Sequence, residues 1–192
     1  MAKILTQIPE QNFELIRDKI KDILTDELDG QTYTQDVSVF SERFIPFDKT
    51  ELPAINVSFD SVPYDRHDQK SRHGENQYYI DIVVNKVHTE TEQGDVQASL
   101  KLQRITGIIA YILSSPEYRF LDFAPGTVQS RWVEGINIGR LQDQDALHTI
   151  VSRITFKVRA SESVGSLTGV AGEVYSSQVK LDNTDKGHLI QK

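Results

Sequence analysis

Cysteine is absent from all 192 residues, which excludes disulfides, thiolate nucleophiles and cysteine-bound zinc. It leaves the redox compartment open. Positive charge is in deficit: 21 basic residues face 28 acidic ones, for a formal net charge of −7. Proteins that hold DNA by its phosphates need the opposite balance, so broad backbone binding is disfavoured. Long apolar runs are also missing. The longest, near residues 105–113, is broken by Gly107 and Tyr111 and is about half a membrane span. Residues 1–8 hold one lysine and no apolar stretch of signal-peptide length, so a soluble chain made in the cytoplasm, with no membrane partner, is expected. What is present is 38% hydrophobic and 26% charged residues. A chain of this length buries roughly 70% of its unfolded surface, enough for a core without covalent staples.

The first helix is predicted over residues 9–29. Phe13, Ile16, Ile20, Ile23 and Leu24 recur at three- and four-residue steps and gather into one stripe. Pro9 suits its first turn, and Gly30 suits a left-handed stop. A second helix is predicted over residues 95–113, with Leu102, Ile105, Ile109 and Ile112 as its stripe and Ile108 and Leu113 widening it. Strands are expected at residues 36–40, 53–59, 77–87, 128–138 and 146–160. In the third, Tyr78, Ile80, Ile82 and Val84 share one face and Tyr79, Asp81, Val83 and Asn85 the other. One apolar and one mixed face fits an antiparallel sheet better than a doubly wound parallel one.

The expected fold class is therefore α+β: a mostly antiparallel sheet of four to five strands packed against two main helices. Residues 1–160 form its core. Residues 60–76 are polar and too many for a routine hairpin, so they read as a projecting loop that orders on a neighbour. Residues 161–192 are rich in small and polar side chains and read as an arm, strand-forming on a partner sheet or flexible.

Motifs for chemistry fail one after another. Gly165-Ser166-Leu167-Thr168-Gly169 has the outline of a nucleophile elbow but puts leucine where the serine belongs. Aligning Gly30 with the invariant glycine of a calcium loop puts Thr25 at the first ligand position and Asp36 at the last, losing the initial carboxylate and the long bidentate glutamate. Asp65, His67, Asp68 and His73 have metal-binding chemistry but no scaffold to pre-organise them. Asp143 and Asp145 read as solvated turn charges rather than an acid–base pair. The reading is of no enzyme, no metal and no cofactor. Arg131, Arg140, Arg153, Lys157 and Arg159 gather positive charge near the last two core strands, and an acidic neighbour is favoured over DNA as their partner.

Four segments carry a family resemblance. They are Asn12-Phe13-Glu14-Leu15-Ile16-Arg17-Asp18-Lys19-Ile20, Leu52-Pro53-Ala54-Ile55-Asn56-Val57, Tyr79-Ile80-Asp81-Ile82-Val83-Val84 and Trp132-Val133-Glu134-Gly135-Ile136. In this order, across about residues 10–160, the chain resembles the tail terminator and tail-completion proteins of tailed phages. That resemblance implies a virion protein at the head-proximal end of the tail, forming a homohexameric ring. The ring would stop growth of the tail tube, with or without a sheath, and would present a surface to the neck or connector. DNA would be only passing cargo. Arg66, His67, Lys70 and Arg72 in the loop, Trp132 and Arg140 in the last hairpin, and Val174, Tyr175 and Val179 in the arm are the candidate subunit or partner contacts. The alternatives are another neck component, such as a stopper or connector-completion protein, or a nucleic-acid-binding module on the basic hairpin.

Overall fold

The computed structural model describes residues 10–65, 71–85, 94–139, 149–163, 177–180 and 187–190. Helix α1 spans Asn12–Asp29 and buries Ile16, Ile20, Ile23, Leu24 and Leu28, the expected stripe extended by one turn except that Phe13 is only half-buried, stacked on Phe59. It starts later than the proline suggested. Gln11 is the cap, and its N–H donates to the Glu14 carboxylate at 2.8 Å. Gly30 does end the helix, but in a right-handed conformation (φ −72°), so the expected left-handed stop is not used.

The main sheet is built from β1 (Ser38–Ser41), β2 (Ala54–Ser61), β3 (Ser71–Asn85), β4 (Val128–Gly139) and β5 (Thr149–Ser163). Its order is β1-β2-β3-β5-β4. Only β1 and β2 run parallel; the other neighbours are antiparallel. Helix α2 (Gly94–Ser114) lies over β3, β5 and β4, while α1 lies over β1 and β2. The fold is thus α+β, with a five-stranded mixed sheet on two main helices. Tyr78, Ile80, Ile82 and Val84 of β3 meet Ile154, Phe156 and Val158 of β5 in the core beneath the helices, as period-two alternation requires.

Two boundaries differ from expectation. Residues 71–76, read as loop, are strand: β3 pairs with β5 continuously from Ser71↔Ser163 to Asn85↔Thr149. Tyr64 bridges to Gly74, and the Asp65 N–H donates to His73 O at 2.9 Å. Polarity misled because a ladder is held by backbone groups, which polar residues supply as well as apolar ones. Residues 66–70 of the expected loop lie outside the described residues. β5 likewise runs past residue 160 to Ser163. Within the expected arm, β6 (Ser177–Lys180) and β7 (Gly187–Ile190) form an antiparallel pair of their own, although residues 182–192 carry no strand period. β6 falls within residues 174–181, which do alternate, whereas the four residues of β7 are too few for alternation to register.

Candidate functional site

The ladder register sorts side chains between two faces. Those of Ile80, Ile82, Ile154 and Phe156 meet the helices, so Tyr79, Asp81, Arg153, Thr155, Lys157 and, by its pairing with Lys157, Trp132 lie on the other. No helix lies on this face, and Trp132 stands half-buried on it; at β2 the Arg43 segment packs against it through Asn56, and Ala54 and Asn56 are buried.

Its charges are already matched. Arg153 makes two hydrogen bonds to Asp81, at 2.7 and 2.8 Å, and its guanidinium lies 4.4 Å from the Tyr79 ring centre. The Asp81 hydrogen bond pushes the Arg153 pKa up. Lys157 pairs with Glu134 at 2.6 Å, and that hydrogen bond pushes its pKa up too. Arg159 reaches Asp65 at 3.1 Å. Arg131 leaves the cluster altogether. It turns to the helix side and donates to Tyr118 O at 2.6 Å and to Ser115 O, where burial pushes its pKa down. The expected basic cluster is therefore not an open cationic patch among the described residues, and the acidic neighbours of Arg153, Lys157 and Arg159 belong to this same chain. Arg140 lies outside the described residues.

The remaining candidates scatter. Arg72 is exposed on β3, its guanidinium 5.6 Å from the Tyr64 ring centre. It sits five positions along the ladder from the pairing partner of Lys157, about 17 Å at roughly 3.3 Å per residue, and on the opposite side from Trp132. Val179 stands opposite His188 in the β6–β7 ladder. Arg66, His67, Lys70, Val174 and Tyr175 lie outside the described residues, as do Asp143 and Asp145. Among the described residues no group of three or more histidines or carboxylates could hold a metal ion, and no helix is long and apolar enough to cross a membrane.

Two surfaces escaped the sequence reading. After β1, Phe44 is 89% and Ile45 74% exposed, in a segment that carries no period. The segment is nevertheless clamped. Arg43 N–H donates to Asn56 Oδ1 at 3.0 Å, and Asn56 Nδ2 donates back to Arg43 O at 3.1 Å. The Arg43 guanidinium lies against both the Phe40 and Phe47 rings, 4.8 and 4.7 Å from their centres, and makes two hydrogen bonds to Glu51 at 2.8 and 2.7 Å. These bonds hold the Glu51 carboxyl below its ordinary pKa. Glu42, at φ +50°, accepts the Phe59 N–H at 2.7 Å.

The second surface is the outer side of α2. Val96 (56% exposed), Leu100 (61%) and Tyr111 (79%) lie on the side of α2 opposite the buried Leu102, Ile105 and Ile109, with Arg104 and Gly107 between Leu100 and Tyr111. At its C-terminal half a cleft of 550 Å³ opens towards the end of α1, lined by Glu27, Gln31, Gly107, Ile108, Tyr111 and Tyr118 among others. The signal was the composition of α2, which is apolar on more than one side.

Fold and surfaces together define an α+β domain with an uncovered sheet face, an apolar outer helix face and a projecting apolar knob. No family model and no curated protein matches the chain. A solved chain from the virion of a native gene transfer agent particle matches at 12% identity and a TM-score of 0.48, covering 76% of this chain and 93% of that one. A second solved chain matches at 15% identity and a TM-score of 0.42, covering 76% of this chain and 94% of the other. At these identities and scores the likenesses assign no function.

Proposed function

We propose that this chain is a structural protein of a phage-like virion: a tail terminator whose homohexameric ring caps the tail tube and joins it to the neck. One observation carries the reading. Large apolar side chains are left exposed on surfaces that face apart, the outer side of α2 and the Phe44–Ile45 knob, while the sheet's other face lies open. Isolated soluble monomers keep contiguous apolar surface small, so these are contacts awaiting partners. A capping ring needs lateral neighbours in its own plane and an axial neighbour in the tube. The order of the four resembling segments supports the same reading, and the net charge of −7 suits a passage that does not retain DNA. Purified chain added to polymerising tube subunits should shorten the tubes and appear by electron microscopy at one end only. Unchanged tube lengths, or labelling confined to capsid or baseplate, would sink the proposal.

A further inference from the structure

One edge of the main sheet is left unprotected. We infer that β4 of one copy pairs antiparallel with β4 of a second copy about Asn137, joining two five-stranded sheets into one. The contact is isologous and closes at two. It describes the chain before it meets any other protein and goes beyond the terminator reading, whose ring needs lateral contacts of another kind.

A strand edge presents N–H and C=O groups that accept an extended chain, so folded proteins blunt it by shortness, charge, proline or bulges. The edge at β1 is four residues long and is followed by Glu42 at φ +50°. β4 runs for twelve residues, and among the described residues β5 is its one neighbour in the sheet. Its first half is broken by both register shifts, before Ser130 and before Gly135, and carries Arg131 and Glu134. None of these devices reaches Gly135-Ile136-Asn137-Ile138-Gly139. That segment pairs with β5 in unbroken register and holds neither charge nor proline.

The segment selects its own partner. Its sequence reads the same in both directions, so antiparallel pairing about Asn137 sets Ile136 opposite Ile138 of the second copy, and Ile138 opposite Ile136. Moving the axis to Ile136 or to Ile138 would instead set an isoleucine against Glu134 or Arg140. Ile136 and Ile138 pair with the buried Ile154 and Ser152 of β5, yet stand 45% and 52% exposed at the rim of the helix layer. The dimer brings four isoleucines together there and takes them out of water. Asn137 pairs with Arg153 and so lies on the opposite face, where its amide can both donate to and accept from its symmetry mate. With no charge from residue 135 to 139, no like-charge repulsion opposes the approach. The contact is small, so dimer and monomer should exchange as concentration changes.

The chain has no cysteine, so a single introduced thiol reports on its own symmetry mate. Under mild oxidation Asn137→Cys should give a disulfide-linked dimer and nothing larger. It should link roughly tenfold faster than Ser130→Cys, which is exposed on the same strand but outside the paired segment. Equal rates for the two variants overturn the inference. Sedimentation of the unaltered chain should show monomer and dimer in exchange, and a chain that stays monomeric at every concentration overturns it as well. The register has a test of its own at these exposed positions. Ile138→Lys should raise the dimer dissociation constant roughly tenfold, and adding Ile136→Glu sets glutamate opposite lysine twice across the axis, recovering roughly threefold. No recovery in the double variant counts against pairing about Asn137. Tube capping is read separately. Dimers that form without capping strike the terminator reading alone, and capping by a chain that never dimerises strikes this contact alone.

Discussion

The Tyr118 hydroxyl donates to the Glu27 carboxylate and so ties the short 3-10 turn Pro116–Tyr118 to the last turn of α1. That hydrogen bond, reinforced by desolvation and by the charge of Glu27 and its neighbours, pushes the tyrosine pKa up to about 12 from an ordinary 10.0. The folded value lies above the unfolded one. The bond's contribution is therefore fully present below pH 10 and is lost as the pH rises towards 12. The pair is half-buried and still reached by solvent, so Tyr118→Phe should cost about 1 kcal/mol or less at neutral pH. It should also flatten the fall in urea midpoint between pH 10 and 12, and parallel curves for the two proteins would show that the bond carries no stability. The same pair lines the cleft beside the C-terminal half of α2. This site was not legible in the sequence. Glu27 reads there as part of an acidic cluster at a helix terminus, and its partner stands 91 residues away.

At the scale of elements, Gly74 decides how the β2–β3 hairpin closes. A Cβ at this position would lie 2.5 Å from Val62 Cγ2 and 3.1 Å from both Pro63 O and Tyr64 Cδ1. The 2.5 Å contact would force Val62 to move, and the two at 3.1 Å, one of them to backbone, leave its neighbours little room to give. Gly74→Val should displace residues 62–64, costing about 1–3 kcal/mol by overpacking. Hydrogen exchange should accelerate at the Asp65 amide, which donates to His73 O, and stay slow at Ile80 in mid-ladder. Unaltered protection at Asp65 would contradict the close approach. Helices and central strands were legible because their apolar stripes record burial residue by residue, as at Ile16–Ile20–Ile23 and Ile80–Ile82–Val84. The strand extension over residues 71–76 was not, since its partner is the equally polar end of β5. Nor was β4 legible in its facing. Register shifts between Val128 and Ser130 and between Val133 and Gly135 change which side odd-numbered residues occupy. They send Arg131 to the carbonyls of Ser115 and Tyr118 and leave Trp132 outside, an arrangement that counting by twos cannot find.

For the whole molecule, charge placement matters more than charge total. A net charge of −7 can still coexist with a basic face, and the residues of β5 invite that reading in the sequence. The folded chain answers it by putting a carboxylate beside each of Arg153, Lys157 and Arg159. Paired cations on an acidic body offer little to a phosphate backbone, because each must first give up its own carboxylate. DNA should accordingly bind this protein weakly even at low salt, with a shallow dependence of log K on log salt. The pairing itself can be tested by releasing it. Asp81→Asn with Glu134→Gln frees Arg153 and Lys157, lowers the negative charge by two, and should steepen the salt slope by roughly 1.8, the value for two phosphate contacts. Fluorescence anisotropy with a labelled duplex, at several salt concentrations, reads both proteins on one scale. A steep slope in the unaltered chain would restore the nucleic-acid-binding alternative and remove DNA from the role of passing cargo. A shallow slope that steepens only in the double variant would establish that the ion pairs on the open sheet face are what keep DNA from sticking there.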